Sequence, residues 1–316
     1  MQVGLCRWRG QREPQDWIHG KAATSRIFGV AQERMKTREH CYPCLKRLIQ
    51  QVVSLSAGNG TLVRRCYDLM EGLYSPEKSP PEISNLLLAY IRDQTGVVDP
   101  FSEKKGAEFC KAERAAGEYR NLFPSTLEGL LKFASLGNSL DFFADSCYDV
   151  TNFRFIGDIE AIQEQIAQSN GSALLFADNV GEFFFDLPLI RFLEEQGKRV
   201  HYAVKEGPVQ NDLSMADVKL HGLRALVGNI ISTGTDEVGI RREQMQGRVK
   251  ELWESDALVI AKGMGNYETI SEFDEERPVL YILKAKCKTV AEALGRSVGE
   301  HTSFIGGAHG SKERVL

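Results

Sequence analysis

Asp178, Asn179 and Asp212 are where chemistry enters this sequence. Two carboxylates and an amide carbonyl make an oxygen-only donor set, which suits a hard divalent ion such as Mg²⁺ or Mn²⁺ better than zinc, whose sites favour His and Cys. Three such ligands leave open positions on an octahedral ion for water and substrate oxygens. Glu182 and Asp212 are the candidates to orient or deprotonate a water. The bland alternative is helix capping, with Asp178 and Asn179 capping a helix near Gly181, and Asn211 and Asp212 capping another at LSMADV. Taken singly, caps explain these residues at least as well as an ion does. Taken jointly, at the ends of adjacent strands, the ion moves ahead.

A second group surrounds KGMGNYE. Gly263 and Gly265 allow a tight turn and close backbone approach to a ligand, the helix start that follows attracts an anion, and Lys262 adds a point charge suited to phosphate. Asn266 in the turn and Asn211 in the loop after RVHYAV are further candidates to bind the phosphate substrate, and Lys284, then Lys286, offer further positive charge. Asn138 and Asp141 interrupt an apolar stripe and share a helix face, either looking into a cleft or forming a solvated patch. Cys41 and Cys44 in HCYPC have the spacing of zinc knuckles and redox disulfides, yet no second CxxC exists; His40, Cys66, Cys110 or Cys147 would have to complete a zinc set.

Two kinds of pattern must position these groups. From residue 41 to about 168 the apolar period is helical, as in Leu45, Leu48, Ile49 and Val52, and strand signals are scarce. After Gly171 short β-rich runs alternate with helices: SALLFA, RVHYAV, ALVGNIIS, DALVIA and PVLYIL. That alternation predicts an α/β fold, a Rossmann-like, mainly parallel sheet flanked by helices and preceded by an all-helical lobe. The expected boundaries are a flexible extension over 1–34 (or sequence upstream of a start at Met35), a helical lobe over 35–168, a catalytic domain over 169–300 and a mobile tail over 301–316. In such sheets ligands bind beyond the carboxyl ends of the strands, and each predicted strand ends in polar residues.

Bulk properties narrow the class. A chain of 316 residues with 42% apolar and 26% charged residues is an ordinary globular protein. Its 39 basic and 43 acidic residues argue against nucleic acid as a partner, and no apolar run approaches a membrane span. Seven cysteines, mostly isolated and without a secretory signal, point to a reduced cytoplasmic setting.

The blocks FADNVGEFFFD, VKEGPVQNDLSMADV, AKGMGNYETISE and LKAKCKTVAEALG resemble, in order, signature blocks of the damage-control phosphatase family, long catalogued as domain of unknown function 89. The resemblance runs from about Met35 to residue 300, and the CxxC and GNSLDF resemble its prokaryotic-type subfamily. It implies a metal-dependent phosphatase whose divalent ion (Mn, Mg, Co or Ni) is held by Asp178, Asn179 and Asp212 and whose partner is a small phosphorylated metabolite, a sugar or nucleotide-type phosphomonoester. Lys262 and Asn266 depart from the Glu-Gly-Met-Gly-Arg of a related subfamily, and Tyr281 replaces the Arg of another subfamily's Arg-x-x-Lys. The rival functions are an S-adenosylmethionine-dependent carboxyl methyltransferase, also proposed within this family, and a non-catalytic metal or phosphometabolite binder.

Overall fold

The computed structural model describes residues 35–139, 150, 153–274 and 277–307. The expectations for residues 1–34, Asp141, Cys147 and the last nine positions fall outside them. All described residues belong to one compact unit.

The described residues open with helices α1 (Cys41–Leu55), α2 (Gly60–Leu73), α3 (Pro80–Thr95), α4 (Ser102–Tyr119) and α5 (Leu127–Gly137). Local chemistry marks their starts: Asn59 caps α2, a Ser79–Glu82 capping box opens α3, and Thr126 caps α5. Leu45, Ile49 and Val52 of α1 close a core with Ile83 and Leu87 of α3 and with Val209, so the first three helices rest on the loop that carries Asp212.

Seven strands follow among the described residues: β1 (Phe155–Gly157), β2 (Ser172–Phe176), β3 (Arg199–Val204), β4 (Ile230–Ser232), β5 (Leu258–Lys262), β6 (Pro278–Lys284) and β7 (His301–Gly307). They form one sheet in the order β1-β7-β6-β5-β2-β3-β4, parallel except where β7 runs antiparallel to β6. Between them lie α6 (Ile159–Gln168), α7 (Phe183–Glu195), α8 (Met215–Leu220), α9 (Gly247–Trp253), α10 (Gly263–Ile270) and α11 (Lys288–Ala293). Strand residues alternate between two cores. Ala173, Leu175, Leu258, Ile260, Leu280 and Ile282 face one, while Leu174, Phe176, Val259, Ala261, Val279 and Tyr281 face the other. Burial on both faces is why these strands read as unbroken apolar runs.

Three expectations change. The tail expected to be mobile from residue 301 enters the sheet as β7 through Gly307, with His301, Thr302 and Ser303 buried. The helical lobe does not extend to residue 168: β1 joins the sheet, and Ile162 and Ile166 of α6 pack into a sheet core. The strand expected over ALVGNIIS shrinks to β4, because Leu223–Ala225 form a 3-10 turn and Arg224 Nη1 donates to Ile230 O at 2.9 Å.

Candidate active site

β2 ends at Phe176, and the chain turns through Asp178, Asn179 and Val180 before α7. β3 ends at Val204, and its loop returns through Asn211, Asp212 and Leu213. The backbone pairs the two loops directly: Val180 N donates to Asn211 O at 2.8 Å, Leu213 N to Asp178 O at 2.8 Å, and Asn179 and Asp212 form a bridge. Asp178 and Asp212 therefore share one end of the sheet. The capping alternative fails. The Asn179 side chain accepts no cap bond from the turn it precedes, and α8 is capped by Ser214 in a capping box with Asp217 rather than by Asn211 or Asp212.

Asp178 is half-buried against the first residue of α10. Gly263 has φ +74°, and a Cβ there would lie 1.9 Å from Asp178 Oδ2, so the glycine makes room for a carboxylate. Asp178 Oδ2 accepts from Asn138 Nδ2 at 3.0 Å and from Asn179 Nδ2 at 2.9 Å. Asn179 Nδ2 also donates to Glu182 Oε1 at 2.8 Å, as does Asn138 Nδ2. With its nitrogen spent on carboxylates, Asn179 keeps its carbonyl oxygen for something else. Burial pushes the Asp178 carboxyl well above its usual range, and the charges of Glu182 and Asp212 push the same way. Asp212 is raised too, by burial, although Lys205 with Nζ 3.8 Å from Asp212 Oδ2 opposes the shift.

Beneath this pair lies a buried ion cluster. Lys262 Nζ is fully buried and donates to Glu182 Oε2 at 2.7 Å, Asp186 Oδ1 at 2.5 Å and Ala134 O at 3.1 Å; Tyr202 Oη donates to Asp186 Oδ2 at 2.8 Å. Burial alone would lower the Lys262 pKa, and Asp186 and Glu182 outweigh it, so the ammonium stays charged. Burial likewise acts to raise Glu182, and Lys262 outweighs that to hold it below its usual range; Asp186 is pushed up to about 6, chiefly by burial.

Several expected roles change on this geometry. Lys262 is a buried counter-ion, its three donors directed at protein oxygens. Glu182 has both oxygens occupied and no exposure, which leaves it no face toward a water. Gly263 cradles Asp178, and Gly265 packs against Val238. Asn266 Nδ2 donates to Ala177 O and Lys262 O at 2.9 and 2.8 Å, tying the ends of β2 and β5 together. Asn211 Nδ2 donates to Glu108 of α4 at 3.2 Å, away from the carboxylate pair. Asn138 does reach the site, and its Oδ1 accepts from Lys284 N at 3.2 Å. Lys284 and Lys286 are half-buried, and it is the Lys286 charge that acts on Asp178, Glu182 and Asp212. Sequence alone assigns no role to Asp186 or Tyr202, which the structure places in the ion cluster. Glu182 and Asp186 at i, i+4 within an otherwise apolar helix start were a readable signal for a buried acidic face.

The donor set fits a hard divalent ion. Two carboxylates with raised pKa values lie on paired loops, one is seated in a cradle that any Cβ would fill, and the Asn179 amide beside them has its nitrogen bonded to Asp178 and Glu182. Among the described residues no three His, Cys, Asp or Glu side chains converge as a metal-holding group. The same holds for the CxxC. Cys41 Sγ lies 3.1 Å from Thr289 Oγ1, Cys66 is buried in the helical core and Cys110 is exposed. Cys287, which burial pushes up to about 12, is the thiol whose charge environment includes Cys41 and Cys44. No helix among the described residues is long and apolar enough to cross a membrane.

Residues 37–302 match the family described as damage-control phosphatase ARMT1-like domain. The damage-control phosphatase PH1575 of Pyrococcus horikoshii is 31% identical over 274 residues, covering 82% of this chain and 94% of that protein. A damage-control phosphatase of Archaeoglobus fulgidus is 24% identical over 295 residues, covering 86% and 99%. The crystal structure of the PH1575 protein superposes with a TM-score of 0.74 at 30% identity, over 85% of this chain and 99% of that one. The chain belongs to the damage-control phosphatase ARMT1-like domain family.

Proposed function

We propose that this protein is a divalent-metal-dependent phosphatase acting on a small phosphomonoester, a sugar or nucleotide-type phosphate. The observation that carries the reading is the pairing of the Asp178 and Asp212 loops around a carboxylate cradled by Gly263. Asp178, Asn179 Oδ1 and Asp212 would hold the ion, which when bound supplies Lewis-acid stabilisation of a phosphoryl oxygen and lowers the pKa of a bound water. Lys286 and Lys284 hold the remaining phosphoryl oxygens and offset charge that builds up during transfer. Asp212 is the better placed of the two candidates to accept the proton of an attacking water, since both oxygens of Glu182 are already bonded. Lys262, Glu182 and Asp186 fix the floor on which Asn138 and Asn179 orient Asp178. The acidic turn after β2, with no glycine-rich nucleotide loop there, favours phosphate ester hydrolysis over methyl transfer. HCYPC and GNSLDF support the prokaryotic-type subfamily, the balanced charge weighs against nucleic acid as a partner, and the mostly isolated cysteines support a cytoplasmic setting.

Hydrolysis of p-nitrophenyl phosphate with Mn²⁺, Mg²⁺, Co²⁺ or Ni²⁺ tests this. We expect metal-dependent turnover that Asp178→Ala reduces by about 10³-fold or more with little change in far-UV circular dichroism. Unchanged metal-dependent turnover in that variant would refute the assignment.

A further inference from the structure

His301 opens β7 opposite Lys284 at the carboxyl end of β6, and none of its surface is exposed. Its ring sits between two serines of one helix end: Ser135 Oγ lies 3.1 Å from Nδ1, and Ser139 Oγ lies 3.1 Å from Nε2. The neighbours fix the hydrogens. Ser135 donates its hydroxyl to Lys132 O at 2.8 Å, so toward the ring it accepts, and Nδ1 carries the hydrogen. Burial, with the Lys284 charge close by, pushes the imidazole down to about 3, so the ring is neutral at physiological pH and Nε2 accepts from Ser139. A directed chain thus runs from Ser139 through His301 and Ser135 to Lys132 O.

The residue before Ser139 is Asn138, which crosslinks the site: Nδ2 donates to Asp178 and Glu182, and Oδ1 accepts from Lys284 N. Gly137 allows this approach, since a Cβ there would lie 2.9 Å from Phe185 Cβ and 3.2 Å from Glu182 Cα. Nothing in the catalytic proposal requires a histidine on β7, yet the ring is bonded at both nitrogens to the turn that delivers Asn138.

We propose that His301 is a positioning residue for the cation site: through Ser139 it locks the last turn of α5 in the register that places Asn138 on the Asp178 carboxylate. This rests on the reading of Asp178 as a metal ligand. Groups that orient a ligand from behind typically carry 10–100-fold in metal affinity.

Calorimetric titration with Mn²⁺, paired with p-nitrophenyl phosphate turnover across Mn²⁺ concentrations, decides it. We expect Ser139→Ala to weaken Mn²⁺ binding about 10- to 100-fold, with turnover recovering at saturating Mn²⁺. His301→Asn, which keeps a donor near Nδ1 and loses the acceptor near Nε2, should behave alike. His301→Gln, which restores an acceptor near Nε2, should stay within about threefold of the unaltered protein. Should the His301 variants fail to fold, Ser139→Ala decides alone, since it removes a single hydroxyl. A Ser139→Ala protein that binds Mn²⁺ normally, with or without a lower melting temperature, overturns the proposal. So does a weak His301→Gln beside a normal His301→Asn, which would place the effect at Ser135. Absence of Mn²⁺ binding in the unaltered protein would instead refute the Asp178 reading and this proposal with it.

Discussion

Gly263 shows how one missing carbon shapes the site. Its positive φ and the 1.9 Å that would separate a Cβ from Asp178 Oδ2 make two independent demands on the same residue. Gly263→Ala should therefore displace the Asp178 carboxylate while leaving the sheet in place. We expect Mn²⁺ affinity and phosphatase turnover to fall by about 100-fold or more, read by calorimetry and by p-nitrophenyl phosphate hydrolysis. Normal affinity in that variant would mean Asp178 is not seated as described. The importance of this glycine was legible in KGMG, but the reason was not. Sequence suggested room for a phosphate, whereas the close neighbour is the Asp178 carboxylate from the turn after β2, far earlier in the chain, a contact no local pattern encodes.

At the scale of elements, α7, α5 and β5 meet on Lys262. Its ammonium, with Glu182 and Asp186, is wholly buried, and removing one partner of such a cluster strands the others without solvent. Lys262→Met should cost about 3–5 kcal/mol in urea unfolding, and it should lower activity through misplacement of Asn138 and Asn179 rather than through loss of a phosphate contact. A variant of full stability whose Michaelis constant alone rises would restore Lys262 to the phosphate. The strands were the most readable elements: β3 and β6 coincide with RVHYAV and PVLYIL because burial on both faces demands continuous apolar residues. β7 was not readable. HTSFIGG buries His301, Thr302 and Ser303 by bonding or strand pairing instead of by hydrophobicity, so its sequence looks like a loop. The meeting of the loops that carry Asp178, Asn179 and Asp212 was legible because each follows a strand. The ion cluster below them was not, since it depends on which helix faces cross over the sheet.

Over the whole molecule, burial at the carboxyl ends of the central strands disfavours the charged forms of two carboxyl groups, Asp178 and Asp212. Asp178 and Asp212 both have raised pKa values, so the folded metal-free protein binds protons that the unfolded chain has already released above about pH 4. For these groups the metal-free fold gains stability at acidic pH and loses it as pH rises through the raised values. A divalent ion that replaces those protons should raise the melting temperature more near pH 8 than near pH 5, as differential scanning fluorimetry would record. A larger metal-induced rise at the acidic end would contradict the assignment.

The most direct measurement is anomalous diffraction at the manganese edge from crystals soaked in Mn²⁺. We expect one strong peak bounded by Asp178, Asn179 Oδ1 and Asp212, beside Gly263. Saturating Mn²⁺ that leaves this place empty, or binds only at Cys41 and Cys44, would contradict the site proposed for this enzyme.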